Sequence, residues 1–294
     1  MKAALVKEIT PLTQSDCFSI FFRTKSTFNY PLHYHEEFEL NFIQNGKAAK
    51  RVIGDHMEDI TDFELVLIGP NLAHTWHAHE CKSEEIKEIT IQFHRDLFDE
   101  KFLHRNQMSL IRTMFDHSFR GIVFSKQTIE EVMPRLFILT KKQGFDSVLE
   151  LMAILDFLSE SKNQRILSNS SFATKEKFTY SSRRIEKVMQ FINSSFDNNI
   201  TLKDAAKIAG MTEVSLSRFF KLRTGQSFVE TLTDIRLGHA SRMLIDTTQS
   251  INEVAYKCGF NNMSNFNRIF KKKKRCTPGQ FRATYNLSGS RTFV

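Results

Sequence analysis

Arg218 and Arg268 lie fifty residues apart, each among side chains suited to reading nucleic-acid bases: Glu213, Val214 and Ser217 beside the first, Met263, Ser264 and Asn267 beside the second. An arginine fork pairs with two atoms of guanine, asparagine with two of adenine, and Val or Met packs on a thymine methyl. Each arginine equally suits a phosphate oxygen, which fixes position without reading sequence. The second window runs directly into Lys271 and Lys272 and on to Arg275, the densest positive run in the chain. Such a run is otherwise a solvated helix face. A different chemistry gathers near the other end, in His33, His35, Glu37, Glu39 and Asn41. On a strand of period two these share one face, and Phe38, Leu40 and Phe42 take the other. Imidazoles and carboxylates on one face line a polar cavity, while the apolar face packs on a sheet or helix.

The arginine windows sit in a unit written twice. At an offset of 49, Leu202, Ala206, Gly210 and Met211 fall on Ile251, Ala255, Gly259 and Phe260; at 50, Leu216, Arg218, Phe220 and Lys221 fall on Phe266, Arg268, Phe270 and Lys271. The extra residue enters at Asn261-Asn262, as an insertion at a turn would. Thr201 and Ser250 are placed to cap a first helix in each copy, and Thr212 and Asn262 a second. Ala206 and Ala255 let two helices approach, and Gly210 and Gly259 supply the left-handed residue that ends the first helix. This is two helix-turn-helix units. Between them Ile235, Leu237, Ala240, Leu244 and Ile245 predict a spacer helix.

Gly259-Phe260, Ser264, Phe266, Arg268-Ile269-Phe270-Lys271, Thr277-Pro278 and Phe281-Arg282 resemble the signature of AraC-type transcription regulators, as do Ser215–Lys221 with Gly225 and the spacer residues Arg236-Leu237, Ala240 and Leu244. The resemblance covers about the last hundred residues. It implies an all-α DNA-binding domain, double-stranded DNA as partner, a small-molecule effector, a homodimer, and RNA polymerase as a further candidate partner. Copy two departs from the pattern, with Arg275 where copy one has Gly225, so its second helix ends without the usual glycine.

His33-x-His35, Glu39 and Gly46, followed by Gly69-Pro70-Asn71-Leu72-Ala73-His74, resemble the two motifs of the cupin β-barrel. The resemblance spans roughly residues 10–95. In metal-binding cupins the positions matching His33, His35, Glu39 and His74 hold a divalent metal, which here would be Fe, Mn, Zn or Ni. The other reading is an effector pocket lined by His33, His35, Glu37, Glu39, His74 and Trp76. No cofactor is then required, and metal content falls below one per chain. Trp76 suits either a sugar ring at the pocket rim or core packing.

Charge divides the chain. From Arg183 onward there are 19 Lys+Arg and 8 Asp+Glu, net +11; the remainder has 22 and 25, net −3. A polyanion partner therefore belongs to the C-terminal part. Cys17, Cys81, Cys258 and Cys276 have no metal or redox spacing. No apolar run approaches about 18 residues, so no membrane partner is expected and the reading is a cytoplasmic protein. Helices are predicted at 129–140 and 148–158. The second is apolar on more than one face, with Leu151 and Leu155 as candidate dimer residues; a core helix is the even alternative.

The expected architecture is multi-domain: a cupin-like effector-binding and dimerisation barrel with following helices at 1–160, a linker at 161–182, and a DNA-binding domain at 183–294. The function it predicts is an effector-responsive transcription regulator. The rivals are a metal-dependent cupin enzyme joined to a DNA-binding domain, and a constitutive DNA-binding dimer.

Overall fold

The computed structural model describes residues 5–28, 30–169, 183–224, 226–286 and 291–293. Gly225 and residues 170–182 of the expected linker lie outside them. The described residues divide into two units, one of 5–8, 15–169 and 291–293, the other of 9–14 and 183–286 without 225.

The strands of the first unit are β1 (Val6–Lys7), β2 (Phe18–Lys25), β3 (His33–Tyr34), β4 (Phe38–Gln44), β5 (Lys50–Ile53), β6 (His56–Asp59), β7 (Phe63–Ile68), β8 (His74–His77), β9 (Ile86–Phe93), β10 (Ile122–Val123), β11 (Arg165–Ile166) and β12 (Arg291–Phe293). Its helices are α1 (Glu100–Leu103), α2 (Ser109–Ser118), α3 (Lys126–Leu139) and α4 (Gly144–Ser159). The described strands do not close into one barrel. They form two sheets, β1-β3-β8-β5-β6 and β11-β10-β7-β4-β9-β2-β12. Period two explains both faces of the larger sheet. Phe18, Ile20, Phe38, Leu40, Phe42, Leu65, Leu67, Ile89, Ile91 and Phe93 pack against α2, α3 and α4. The intervening Glu39, Asn41, Glu64, Glu88, Thr90 and Gln92 turn the other way and are also buried. A second core on that side joins Ile43, Val66 and Ile68 to Ile53 and Trp76 of the smaller sheet.

The structure corrects two expectations. The stretch 33–42 is not one strand: it breaks at 35–37, leaving β3 in one sheet and β4 in the other, with the His35 carbonyl accepting from Asn71 N at 2.7 Å. In α4, Leu151 and Leu155 are fully buried in the unit's own core and face no solvent. The exposed apolar residues of that helix are Phe145 at 72% and Leu149 at 48%. Residues 165–169, read from composition as linker, are tied down. β11 pairs with β10, and Asp55 accepts from Ser168 Oγ at 2.6 Å and from Asn169 N at 3.1 Å.

The second unit holds α5 (Arg183–Ser195), α6 (Leu202–Ala209), α7 (Glu213–Thr224), α8 (Phe228–Asp246), α9 (Ile251–Lys257), α10 (Met263–Lys274) and α11 (Pro278–Asn286). Local chemistry sets the starts of the central ones. Thr201 with Asp204, Ser227 with Glu230 and Ser250 with Glu253 form capping boxes, and Asn262 accepts from Asn265 N. Each such cap is worth about 1 kcal/mol. Gly210 ends α6 at φ 61°. Arg275 ends α10 in the same left-handed region, also at φ 61°, where its side chain makes the conformation costlier than for glycine.

Candidate functional site

In the second unit, burial sorts the two arginine windows. Leu216 and Phe220 are fully buried in α7, and Phe266 and Phe270 in α10. Helical period then turns Glu213, Val214, Ser217 and Arg218 outward on α7, and all four are exposed. Val214 is 64% exposed, an apolar side chain left open on the helix front. On α10, Ser264, Asn267, Arg268, Lys271 and Lys272 are exposed and Met263 is half-buried. Arg268 Nη2 donates to Asn265 Oδ1 at 2.7 Å, which pins the guanidinium along the helix.

The basic run after Phe270 is not a uniform patch. Lys273 Nζ donates to Asp234 Oδ1 of α8 at 2.7 Å. Lys274 is buried, with its ammonium on the Ile9 carbonyl and 5.4 Å from the Phe281 ring centre. Lys271, Lys272 and Arg275 carry the exposed charge of the run.

In the first unit, the bend at 35–37 brings the two sheets' polar groups together. His33 and His74 are register partners of β3 and β8, with ring centres 4.1 Å apart, and His35 lies 4.9 Å from His74. All three are buried. Each Nδ1 meets a backbone carbonyl, Pro31 at 2.9 Å, Glu37 at 3.0 Å and Leu72 at 2.8 Å. A carbonyl only accepts, so each Nδ1 carries a proton and each Nε2 is left facing inward. There His35 Nε2 is 3.2 Å from Glu39 Oε2, His74 Nε2 is 3.7 Å from Glu39 Oε1, and His33 Nε2 is 3.5 Å from Glu8. Gln92 and Asn41 also donate to Glu39, at 3.0 and 3.3 Å.

Burial opposes charge on His35, yet the hydrogen bond and charge of Glu39, with Glu8 and Glu37 nearby, outweigh it and raise the pKa to about 9. Burial likewise opposes charge on Glu39, and the hydrogen bond and positive charge of His35 hold it well below the usual carboxylate range. His74 is pushed well below the ordinary imidazole value by burial and then by His33. The resulting state is a buried His35–Glu39 ion pair with the neutral His74 ring beside it.

Of the six residues assigned to an effector pocket, the structure brings together His33, His35, Glu39 and His74. Glu37 stands aside, its carboxylate 3.8 Å from His35 Nδ1 and 4.0 Å from His94. Trp76 is 6.1 Å from His74 between ring centres and donates to Glu64 at 2.7 Å, in a buried network where Glu64 also pairs with Arg51. Sequence reasoning missed Glu8, Asn41's bond to Glu39, Thr90 and Gln92. The polar alternates of β9 were readable from the same period that gave Ile89, Ile91 and Phe93; no local pattern announces Glu8.

One ring nitrogen from each of His33, His35 and His74 lies within 4.8 Å of the others, a set able to hold a metal, and His74 Nε2 has no hydrogen-bond partner. The donor chemistry fits a first-row divalent ion, with the backbone carbonyls fixing each ring as outer-shell partners do.

The duplicated, capped, outward-facing pair of helices defines a double helix-turn-helix module, a DNA-binding class. Residues 205–284 match the model of a helix-turn-helix domain family. The HTH-type transcriptional activator RhaR of Mannheimia succiniciproducens is 27% identical over 269 residues, 87% of this chain and 88% of that protein. The lactose operon transcription activator of Staphylococcus xylosus is 31% identical over 104 residues, 35% of this chain and 37% of its own length. Matches to an uncharacterised regulator of Pseudoalteromonas carrageenovora and to the regulator GlxA of Rhizobium meliloti likewise span only 60% and 29% of those proteins. An apo form of ToxT from Vibrio cholerae shares the fold across both units, with TM-score 0.58 at 14% identity over 92% of this chain and 98% of that one. Residues 205–284 are thus a helix-turn-helix domain of the AraC type. Among the described residues no helix is long and apolar enough to cross a membrane.

Proposed function

We propose that the whole chain is an effector-responsive, sequence-specific transcription regulator rather than an enzyme. The observation that carries this is the pair of exposed recognition faces on α7 and α10, held by buried Leu216, Phe220, Phe266 and Phe270. The faces differ, so one chain reads two unlike base sets about one helical turn apart, not a palindrome. Binding-site selection with the full chain tests it. Arg218→Ala is expected to relax base preference at one position and to cost about 1–3 kcal/mol on the best site. Arg268, already held by Asn265 and followed by Lys271 and Lys272, leans on phosphate, so Arg268→Ala weakens all sequences more evenly. The opposite pattern would reverse the assignment.

The effector is read as a small polyhydroxylated molecule of the sugar class, bound at the histidine–Glu39 cluster. Ser19, Gln92 and Glu39 stand abreast across β2, β9 and β4, with Asn41 on the same face. Ser19 Oγ, Asn41 Oδ1 and His74 Nε2 are buried without a hydrogen-bond partner. Buried polar atoms of this kind need partners, and a ligand rich in hydroxyls supplies them. A homodimer through the outer face of α4, and a contact with RNA polymerase, complete the proposal.

One observation favours a second reading, that the pocket's ligand is a divalent metal: three imidazole nitrogens and a carboxylate converge there. Elemental analysis separates the two. Under the first reading, chain purified without added metal carries well below one ion per chain; a stoichiometric metal released by His74→Ala establishes the second.

A further inference from the structure

We propose that Asp234 and Arg236 of α8 form a polar joint that locks the two helix-turn-helix copies at one separation, and so set the spacing between the two base sets the chain accepts. This rests on the DNA-binding reading above. Asp234 is buried and bridges the copies. Its Oδ1 accepts from Lys273 Nζ in the last turn of α10 at 2.7 Å, and its Oδ2 accepts from Gln226 Nε2, just beyond the end of α7, at 3.3 Å. The C-terminal ends of both recognition helices are thereby tied to one carboxylate.

Arg236 ties the start of copy one to the turn of copy two. Its Nε donates to the Phe196 carbonyl at 2.7 Å and its Nη2 to the Asn198 carbonyl at 2.8 Å, both in the connection from α5 to α6. The turn between α9 and α10 seats on the same guanidinium. A Cβ on Gly259 would lie 2.8 Å from Arg236 Nε and 2.7 Å from the Phe196 carbonyl, and the glycine has φ +77°. The Phe260 ring centre is 6.0 Å from Arg236 Cζ, and Phe196 stacks on His239 of α8 at 3.7 Å. Residues two apart on a helix point about 200° apart. Asp234 and Arg236 therefore brace the copies from opposite sides of α8, against rotation as well as bending. Apolar packing alone is non-directional, whereas charged hydrogen bonds hold a narrow geometry.

The test uses full-length chain and a duplex selected by that chain from a random library, compared with the same duplex carrying one or two base pairs inserted between the two base sets. One inserted pair moves the second set about 3.4 Å and about 34° around the axis. The unaltered chain is expected to lose about tenfold in affinity or more per inserted pair. Asp234→Ala and Arg236→Ala are expected to bind the original duplex more weakly yet lose less than about threefold on insertion. Lys273→Gln, which keeps Asp234 bonded to Gln226, and Arg236→Lys guard against unfolding. Lys273→Gln is expected to melt like the unaltered chain while its spacing profile flattens. A folded Lys273→Gln or Arg236→Lys chain with the unaltered spacing profile overturns the joint, as does tolerance of insertions by the unaltered chain, and either leaves the DNA-binding reading standing. Failure of the unaltered chain to select any duplex overturns both.

Discussion

Leu151→Asp in the full chain is expected to unfold the first unit, at a cost above about 4–5 kcal/mol. Leu151 has no exposed surface and packs with Ile154, Leu155 and Leu158 beneath the larger sheet, so a carboxylate there is buried without a partner. Far-ultraviolet circular dichroism and melting of the variant check this. Phe145→Asp, one turn from Leu149 on the exposed side of the same helix, is expected to leave the melting temperature within a few degrees and to give a monomer by light scattering. If Leu151→Asp folds normally, α4 is misassigned to the core. If Phe145→Asp leaves a dimer intact, the dimer lies on another face.

The second large effect falls on the ion pair inside the polar cluster. Glu39→Ala is expected to destabilise the first unit by about 3–5 kcal/mol, because it strips the partner from a buried imidazolium and the acceptor from Gln92 and Asn41. Glu39→Gln keeps the volume and one acceptor oxygen but not the charge, and is expected to fall between Ala and the unaltered chain. Denaturant unfolding of the three chains orders them. Equal stability of all three would show that the cluster contributes no net stabilisation.

The helix-turn-helix pair was readable because its signals are local. Thr201, Ser250 and Asn262 cap where the register placed them, and Arg275 adopts the left-handed cap that the missing glycine implied. The β unit was less readable because its site is made by contacts distant in sequence. His33 and His74 meet across two strands, and the break at 35–37 that lets Glu39 approach from the other sheet has no Gly or Pro to mark it. The same limit governs Lys273 and Lys274. As residues in a charge run they look alike, and only Asp234 and the Ile9 carbonyl distinguish them from Lys271 and Lys272. Trp76 was weighed as a rim aromatic or a core one; it packs in the second core and donates to Glu64, contacts that no local pattern announces.

DNA binding through a charged, two-helix face is the central claim, and the direct measurement is the affinity of the full chain for its selected duplex across a salt series. The expected result is a linear fall of log affinity with log salt, about a thousandfold between about 50 and 200 mM if some six phosphates are contacted, with a shallower slope in a Lys271→Ala, Lys272→Ala double variant. A flat response, or a slope unchanged by that double variant, would contradict it.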